Sequence, residues 1–332
     1  MNSYERLMNR LQGKPVDYPP NLCILMGFAA KYANVPYREF CLDPEKMVEA
    51  NIRCHKDFGV DIVTVMSDPY GEAMDYGMAV EFPENANPHT LRPLWDDEPS
   101  AESLPMPRIE ETVRMKGRLR TIRLYAEKLK RECPIAGWVE GPVAEYCDLR
   151  DINQAMMDFA EEEDFVDAIL DKITRQAIYY SEAQIDAGAD IIGIGDAACS
   201  LLGPKWYGRY AFPYEKRLVD AIHAKGGLVK LHICGNIQPL LPQIAELGVD
   251  IVDVDWMVDF AYAAKTLEGI SAVCGNIDPV TVMLQGSGED IRNAVRECVQ
   301  AGNKTTIISG GCETPPLTPY ENLMAVNQAL RA

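Results

Sequence analysis

With 332 residues, 47% of them hydrophobic and 25% charged, the chain has the composition of an ordinary globular protein, long enough for one wide core or two smaller ones. No stretch approaches the about 20 uninterrupted apolar residues of a membrane span, and a formal charge of −18 opposes binding to a phosphate backbone, so membrane and nucleic acid are not expected partners. The ten cysteines are scattered rather than framed at close spacing, and residues 1–17 are polar and amphipathic without the apolar run of a secretory signal, so a cytosolic protein with reduced thiols is expected.

Eight short apolar runs can be marked in chain order at 21–27, 61–67, 134–140, 190–196, 228–234, 250–255, 271–277 and 305–310. Between most of them lie segments where apolar residues recur at three and four, as in 164–187, 213–225 and 288–301, the period of an amphipathic helix. Three joints repeat almost literally: Phe58-Gly59-Val60-Asp61-Ile62-Val63, Ala187-Gly188-Ala189-Asp190-Ile191-Ile192 and Leu247-Gly248-Val249-Asp250-Ile251-Val252. In each, glycine suits the left-handed position that stops a helix, and the apolar residues that follow begin a buried parallel strand. An open doubly wound sheet would share this rhythm, but no G-x-G-x-x-G turn supports it, and eight units point to a closed (β/α)8 TIM barrel, class α/β. Residues 79–112, rich in Pro, Asn, Asp and Glu, break the rhythm and read as an excursion over the barrel mouth, either a lid or a solvated loop. No linker marks a boundary, so one domain over 1–332 is expected.

Barrel enzymes keep their chemistry at the C-terminal strand ends. In 228–234, alternation puts Val229, Leu231 and Ile233 on one face and Lys230, His232 and Cys234 on the other. The apolar face must meet the helices, which turns His232 and Cys234 into the barrel. The last run ends in Gly310-Gly311-Cys312, whose glycines let the chain bend and bring the Cys312 sulfur to the same rim. One nitrogen and two thiolates make a zinc set, and the absence of tandem C-x-x-C pairs favours an open, catalytic site over a closed structural one. Asp253 and Asp255 alternate inward on the neighbouring run; Asp255 is either a fourth ligand or a carboxylate that orients His232.

Other strand ends carry polar residues. Glu140 is a candidate acid, base or ligand, or a hydrogen-bond partner of its own turn. Asp196 with Cys199, and Asn276 with Asp278, are expected to line the cofactor pocket.

These residues bring the chain to a family it resembles: the uroporphyrinogen decarboxylase superfamily, and within it the cobalamin-dependent methyltransferases. The likeness runs from 6–17 to 317–320 and is most specific in Leu231-His232-Ile233-Cys234-Gly235-Asn236, Cys274-Gly275-Asn276-Ile277-Asp278-Pro279 and Gly310-Gly311-Cys312-Glu313-Thr314-Pro315-Pro316. The resemblance implies zinc ligation by His232, Cys234 and Cys312. It also implies a methyl group carried on the corrinoid (cobalamin) of a separate corrinoid-binding protein, and a thiol acceptor activated by zinc. A rival within the family runs methyl from a small donor, such as a methoxylated aromatic, a methylamine or a methyl halide, to the corrinoid. The decarboxylase branch needs an arginine-rich segment after the first strand; residues 26–34 offer one lysine and no arginine, although Asp68 stands where that branch keeps its catalytic aspartate. A barrel that binds metal without catalysis is the remaining alternative.

Overall fold

The computed structural model describes residues 1–95 and 100–332. Nine strands lie among them: β1 (Val63–Thr64), β2 (Val80–Glu81), β3 (His89–Thr90), β4 (Ile135–Glu140), β5 (Ile191–Gly195), β6 (Leu228–Ile233), β7 (Ile251–Val254), β8 (Ala272–Ile277) and β9 (Ile307–Gly310). Seven form one parallel sheet in the order β1-β4-β5-β6-β7-β8-β9, and β2 and β3 form a separate antiparallel pair. Every step from β4 to β9 follows the chain order, and helices fill most of the connections. This is the α/β rhythm that the sequence predicts. At each of the three repeated joints the glycine ends a helix at positive φ, with Gly59 at 65°, Gly188 at 114° and Gly248 at 73°.

The sheet closes through a segment that is barely a strand. Asn21 bridges Ile308 in parallel; Leu22 N–H donates to Ile308 O at 2.8 Å, and Asp61 N–H donates to Asn21 O at 2.7 Å. The run predicted at 21–27 therefore shrinks to one bridge, because Pro19 and Pro20 before it offer no N–H and the helix Met26–Ala33 begins inside it. The run at 61–67 contracts to β1 for a different reason: Asn51 and Tyr125 side chains both donate to Thr64 O, at 3.2 and 3.1 Å, taking the acceptor that a longer ladder would use.

Inside the barrel, the N-terminal end is plugged by apolar side chains that include Leu22, Ala136, Ile191, Ile251, Ala272 and Ile307, with Leu7 of the helix Ser3–Leu11 packed among them. The next layer upward is polar. Glu140, Gly195, His232, Asp253 and Cys274 stand side by side in register across β4 to β8, one residue from each strand. Sequence alternation thus becomes a stack: an apolar base and, above it, a ring that carries Glu140, His232 and Asp253.

Part of the predicted excursion, 79–112, is structured by the β2–β3 pair and a short 3₁₀ turn at Ile109–Glu111; its residues 96–99 lie outside the described residues. Among the described residues no helix is long and apolar enough to cross a membrane.

Candidate active site

His232 lies inward on β6, and Cys234 follows that strand. Cys312 arrives from the turn after β9. That turn must be glycine: a Cβ on Gly311 would stand 2.4 Å from Trp256 N and 2.9 Å from Asp255 Oδ1. Gly311 N–H also donates to Ile277 O at 2.8 Å, which pins the bend against the ends of β7 and β8. The result is a cluster in which His232 Nε2 lies 3.1 Å from Cys234 Sγ, and Cys234 Sγ lies 3.5 Å from Cys312 Sγ. The three ligand atoms fall within 4.8 Å of one another, so a single ion can touch all of them. His232 is buried, while the two cysteines are half-buried at the mouth.

The other ring nitrogen of His232 faces a carboxylate. Nδ1 lies 3.2 Å from Asp253 Oδ2, out of line for a hydrogen bond but within ion-pair range, and this buried atom has no hydrogen-bond partner among the described residues. Asp253 is fully buried, registers directly with His232 across β6 and β7, and is also ion-paired with Lys230. A carboxylate behind the histidine and open nitrogen and sulfur in front is the usual disposition of a metal-ligating imidazole.

Electrostatics separate the two thiols. The contact with Cys234 is the largest influence holding the Cys312 thiol down to about 4, against burial and with help from His232; the same contact pushes Cys234 upward. Burial works against a charged His232, but Asp253 and Cys312 outweigh it and raise the ring to about 9. These influences favour negative charge on the Cys312 sulfur beside the His232 ring, and a thiolate is the form in which cysteine ligates a metal.

The remaining predicted site residues take other places. Asp255 is neither in the ligand cluster nor against His232. Its Oδ2 accepts from Gly235 N–H at 2.6 Å and its Oδ1 from Trp256 N–H at 2.7 Å, so it braces the turn after Cys234, and Asp253, one pleat earlier, holds the position beside the histidine. Asn276 spends its amide on Asp255 O and Val258 O, at 3.1 and 2.8 Å, steadying the same loop. Asp278 caps the helical turn Pro279–Leu284 by accepting from Val280 and Thr281 N–H, and Asp196 is wholly buried, accepting from Ala144 N–H at 2.6 Å beneath the helix Pro142–Arg150. Backbone groups near in sequence or register engage all three, Asp196 and Asp278 as acceptors and Asn276 as a donor. Asp68 is buried against Arg114 and accepts from Ser67 Oγ at 2.6 Å; burial pushes it up, but Arg114 and Arg118 outweigh that and hold it below the usual carboxylate range.

Glu140 does reach open space. It forms part of the wall of a cavity of about 670 Å³ at the mouth, whose other walls come from the loops after β1, β4 and β5 and from 90–93. Its Oε1 accepts from Trp138 Nε1 at 2.9 Å, and burial together with Glu72 and Asp148 pushes its carboxyl well up. Sequence reasoning missed Asp148, which also lines this cavity, because it lies mid-helix where nothing marks which way it faces. Lys230 was visible on the inward face, but its pairing with Asp253 needed the strand register.

The chain matches the family model described as uroporphyrinogen decarboxylase (URO-D) over residues 2–332. It is 30% identical to the methylcobamide:CoM methyltransferase MtbA of Methanosarcina mazei, over 96% of this chain and 94% of that protein, and 27% identical to the uroporphyrinogen decarboxylase of Geotalea uraniireducens, over 96% and 95%. A solved methyltransferase from Methanosarcina mazei shares the fold with a TM-score of 0.90 at 23% identity, covering 99% of this chain and 98% of its own. The family model spans nearly the whole chain, its relatives carry names for two different activities, and the chain belongs to the uroporphyrinogen decarboxylase family.

Proposed function

We propose that the protein is a zinc-dependent, cytosolic methyltransferase that moves a methyl group between the corrinoid of a partner protein and a small thiol, with His232, Cys234 and Cys312 as the zinc ligands of one barrel domain. The observation that carries this reading is the convergence of Nε2 and two sulfurs at the mouth, with Nδ1 of the same ring turned to Asp253. Relatives named methylcobamide:CoM methyltransferases support it.

Zinc in such a set supplies Lewis acidity that lowers the pKa of a bound thiol and so makes the thiolate available near neutral pH. The chain's own residues do the rest. Asp253 fixes the ring of His232, Lys230 balances the charge of Asp253, and Asp255 and Asn276 hold the loop that positions Cys234. Exposed apolar side chains follow the strand ends around this mouth, among them Leu201 after β5, Trp256 and Met257 after β7 and Leu317 after β9. A surface of that kind suits the docking of a partner protein that must bring its cofactor to the opening.

The decarboxylase reading is weaker on two grounds. The buried guanidiniums of Arg114 and Arg118 are engaged by Asp68 and Glu72, and the cavity wall carries Glu140, Asp148 and Asp151 against a single arginine, Arg92. A substrate with several carboxylates would meet like charge there.

The test is zinc content per chain, followed by X-ray absorption with and without thiols and by methyl transfer from free methylcobalamin. One zinc with a new sulfur neighbour on adding a thiol, and methylation of that thiol, is the expected result. Protein purified without chelators that holds no stoichiometric metal would refute the mechanism.

A further inference from the structure

The cavity beside the cysteine cluster has a charge bias that the methyl-transfer reading does not use. Its walls include Glu140, Asp148 and Asp151, against one cationic side chain, Arg92. A second, much smaller pocket is bounded in part by Glu72, Glu140 and Glu145, so that Glu140 is a wall common to both. Glu145 is 2% exposed and neither of its carboxylate oxygens has a hydrogen-bond partner among the described residues. Arg118, a neighbouring guanidinium, already donates to Glu72 Oε2 at 3.2 Å and to Asp68 O at 3.1 Å. Glu72, Glu140 and Glu145 are thus gathered near one guanidinium, whose Nε has no hydrogen-bond partner among the described residues, and Asp148 stands on the cavity side of Glu140. Burial comes first in raising each of them; repulsion from Glu72 and Asp148 adds to it at Glu140 and Glu145, and repulsion from Glu72 at Asp148. Buried like charges of this kind are relieved either by taking up protons or by a cation entering the space above.

The cavity adjoins the cysteine cluster. Ser200 lines it, and Ser200 Oγ lies 3.4 Å from where a Cβ on Gly235 would stand, next to Cys234 in the chain. Glu140 and His232 occupy the same layer two strands apart, a separation of about 10 Å between backbones. A molecule with a thiol or methyl group at the sulfur cluster and a charged group a few bonds away would place that charge against Glu140 and Asp148.

We propose that this cavity binds the ammonium end of a cationic small molecule, with Glu140 and Asp148 as its counter-ions. As a statement about the methyl-transfer substrate it rests on the reading above; as a statement about a binding site it does not. The acceptor thiol, on this assignment, carries an amino or quaternary ammonium group in place of an anionic one. Tyr70, a further wall of the cavity, offers an aromatic ring to such a group.

Two matched pairs of probes test the assignment. Calorimetric titration of the whole protein with choline and with 2-hydroxyethanesulfonate, at equal ionic strength, compares opposite charges on the same hydroxyethyl unit without any thiol. Choline should bind at least about tenfold more tightly, and Asp148→Asn and Glu140→Gln should each reduce its affinity by about tenfold. Equal affinity for the two probes, or choline binding that is indifferent to both variants, would overturn the proposal; the comparison of probes on the unaltered protein stands whether or not the variants fold. Zinc-loaded protein is then given 2-aminoethanethiol or 2-mercaptoethanesulfonate as methyl acceptor. Preference for the amine extends the assignment to the substrate, and preference for the sulfonate overturns that extension. If choline binds as expected but neither thiol is methylated, the binding site stands and the methyl-transfer reading fails.

Discussion

Two side-chain clusters in this barrel bring potential metal-binding atoms within the same short range, yet their surroundings differ. His232, Cys234 and Cys312 meet at the mouth, and Asp196, Cys199 and Glu215 meet in the interior; in each trio the ligand atoms lie within 4.8 Å of one another. In the interior trio every member is buried and spoken for: Asp196 accepts from backbone N–H groups, and Glu215 accepts from Tyr207 and from Cys199 at 3.9 Å. Burial raises Asp196 to about 6 and pushes Glu215 and Cys199 well up. At the mouth the sulfurs are half-exposed, one thiol is held down to about 4, and a buried carboxylate stands behind the histidine. Proximity is common to both; access and unspent ligand atoms distinguish them.

The sharpest way to break this comparison is to remove one sulfur from each cluster. Cys312→Ser should leave far less than one zinc per chain and abolish methyl transfer, since losing even a partner behind a ligand costs about 10–100-fold in metal affinity, whereas Cys199→Ser should leave zinc content unchanged. Zinc analysis of the two purified variants decides it, and equal zinc loss from both would erase the distinction. Next in size is Asp253→Asn, which keeps all three ligands but weakens the hold on His232. Zinc affinity should fall roughly 10–100-fold, measured by competition with a chelator, and an unchanged affinity would remove Asp253 from the metal's support.

The interior cluster has its own signature. Asp196 titrates at about 6 in the folded chain against an ordinary 3.8, because burial disfavours its charged form. The folded state therefore holds this proton more tightly than the unfolded state, and stability from this group is greatest below the lower value and declines as pH rises toward about 6. Asp196→Asn should flatten that part of the urea-denaturation profile between pH 4 and 6, and a profile identical to the parent's would show that Asp196 is not the titrating group. The smallest effect belongs to Asp278→Ala: loss of a helix cap should cost about 1 kcal/mol and leave zinc content and activity intact. A loss of activity at constant zinc would restore Asp278 to the cofactor pocket from which its capping contacts remove it.

Much of the active mouth was legible from local pattern alone. Alternation in 228–234 decides that His232 and Cys234 share a face, and a glycine pair before Cys312 announces a bend, because these consequences depend only on residues within a few positions of one another. Asp255, Asn276, Asp278 and Asp196 show where that legibility stops. Each is polar at a strand end, and each is consumed by a backbone donor or acceptor whose position depends on the neighbouring strand or turn. Polarity at the rim is visible in a sequence, but prior engagement is not.

By itself, the sequence determined the barrel rhythm, the helix-stopping glycines at 59, 188 and 248, and the inward face of β6, since period and backbone preference are properties of short segments. Only the tertiary structure decided that Asp253 rather than Asp255 stands behind His232, that Asp148 joins Glu140 in the cavity wall, and that the first strand shortens to a bridge. Those outcomes are set by inter-strand register and by competition for hydrogen bonds among residues far apart in the chain, and neither exists until the barrel has closed.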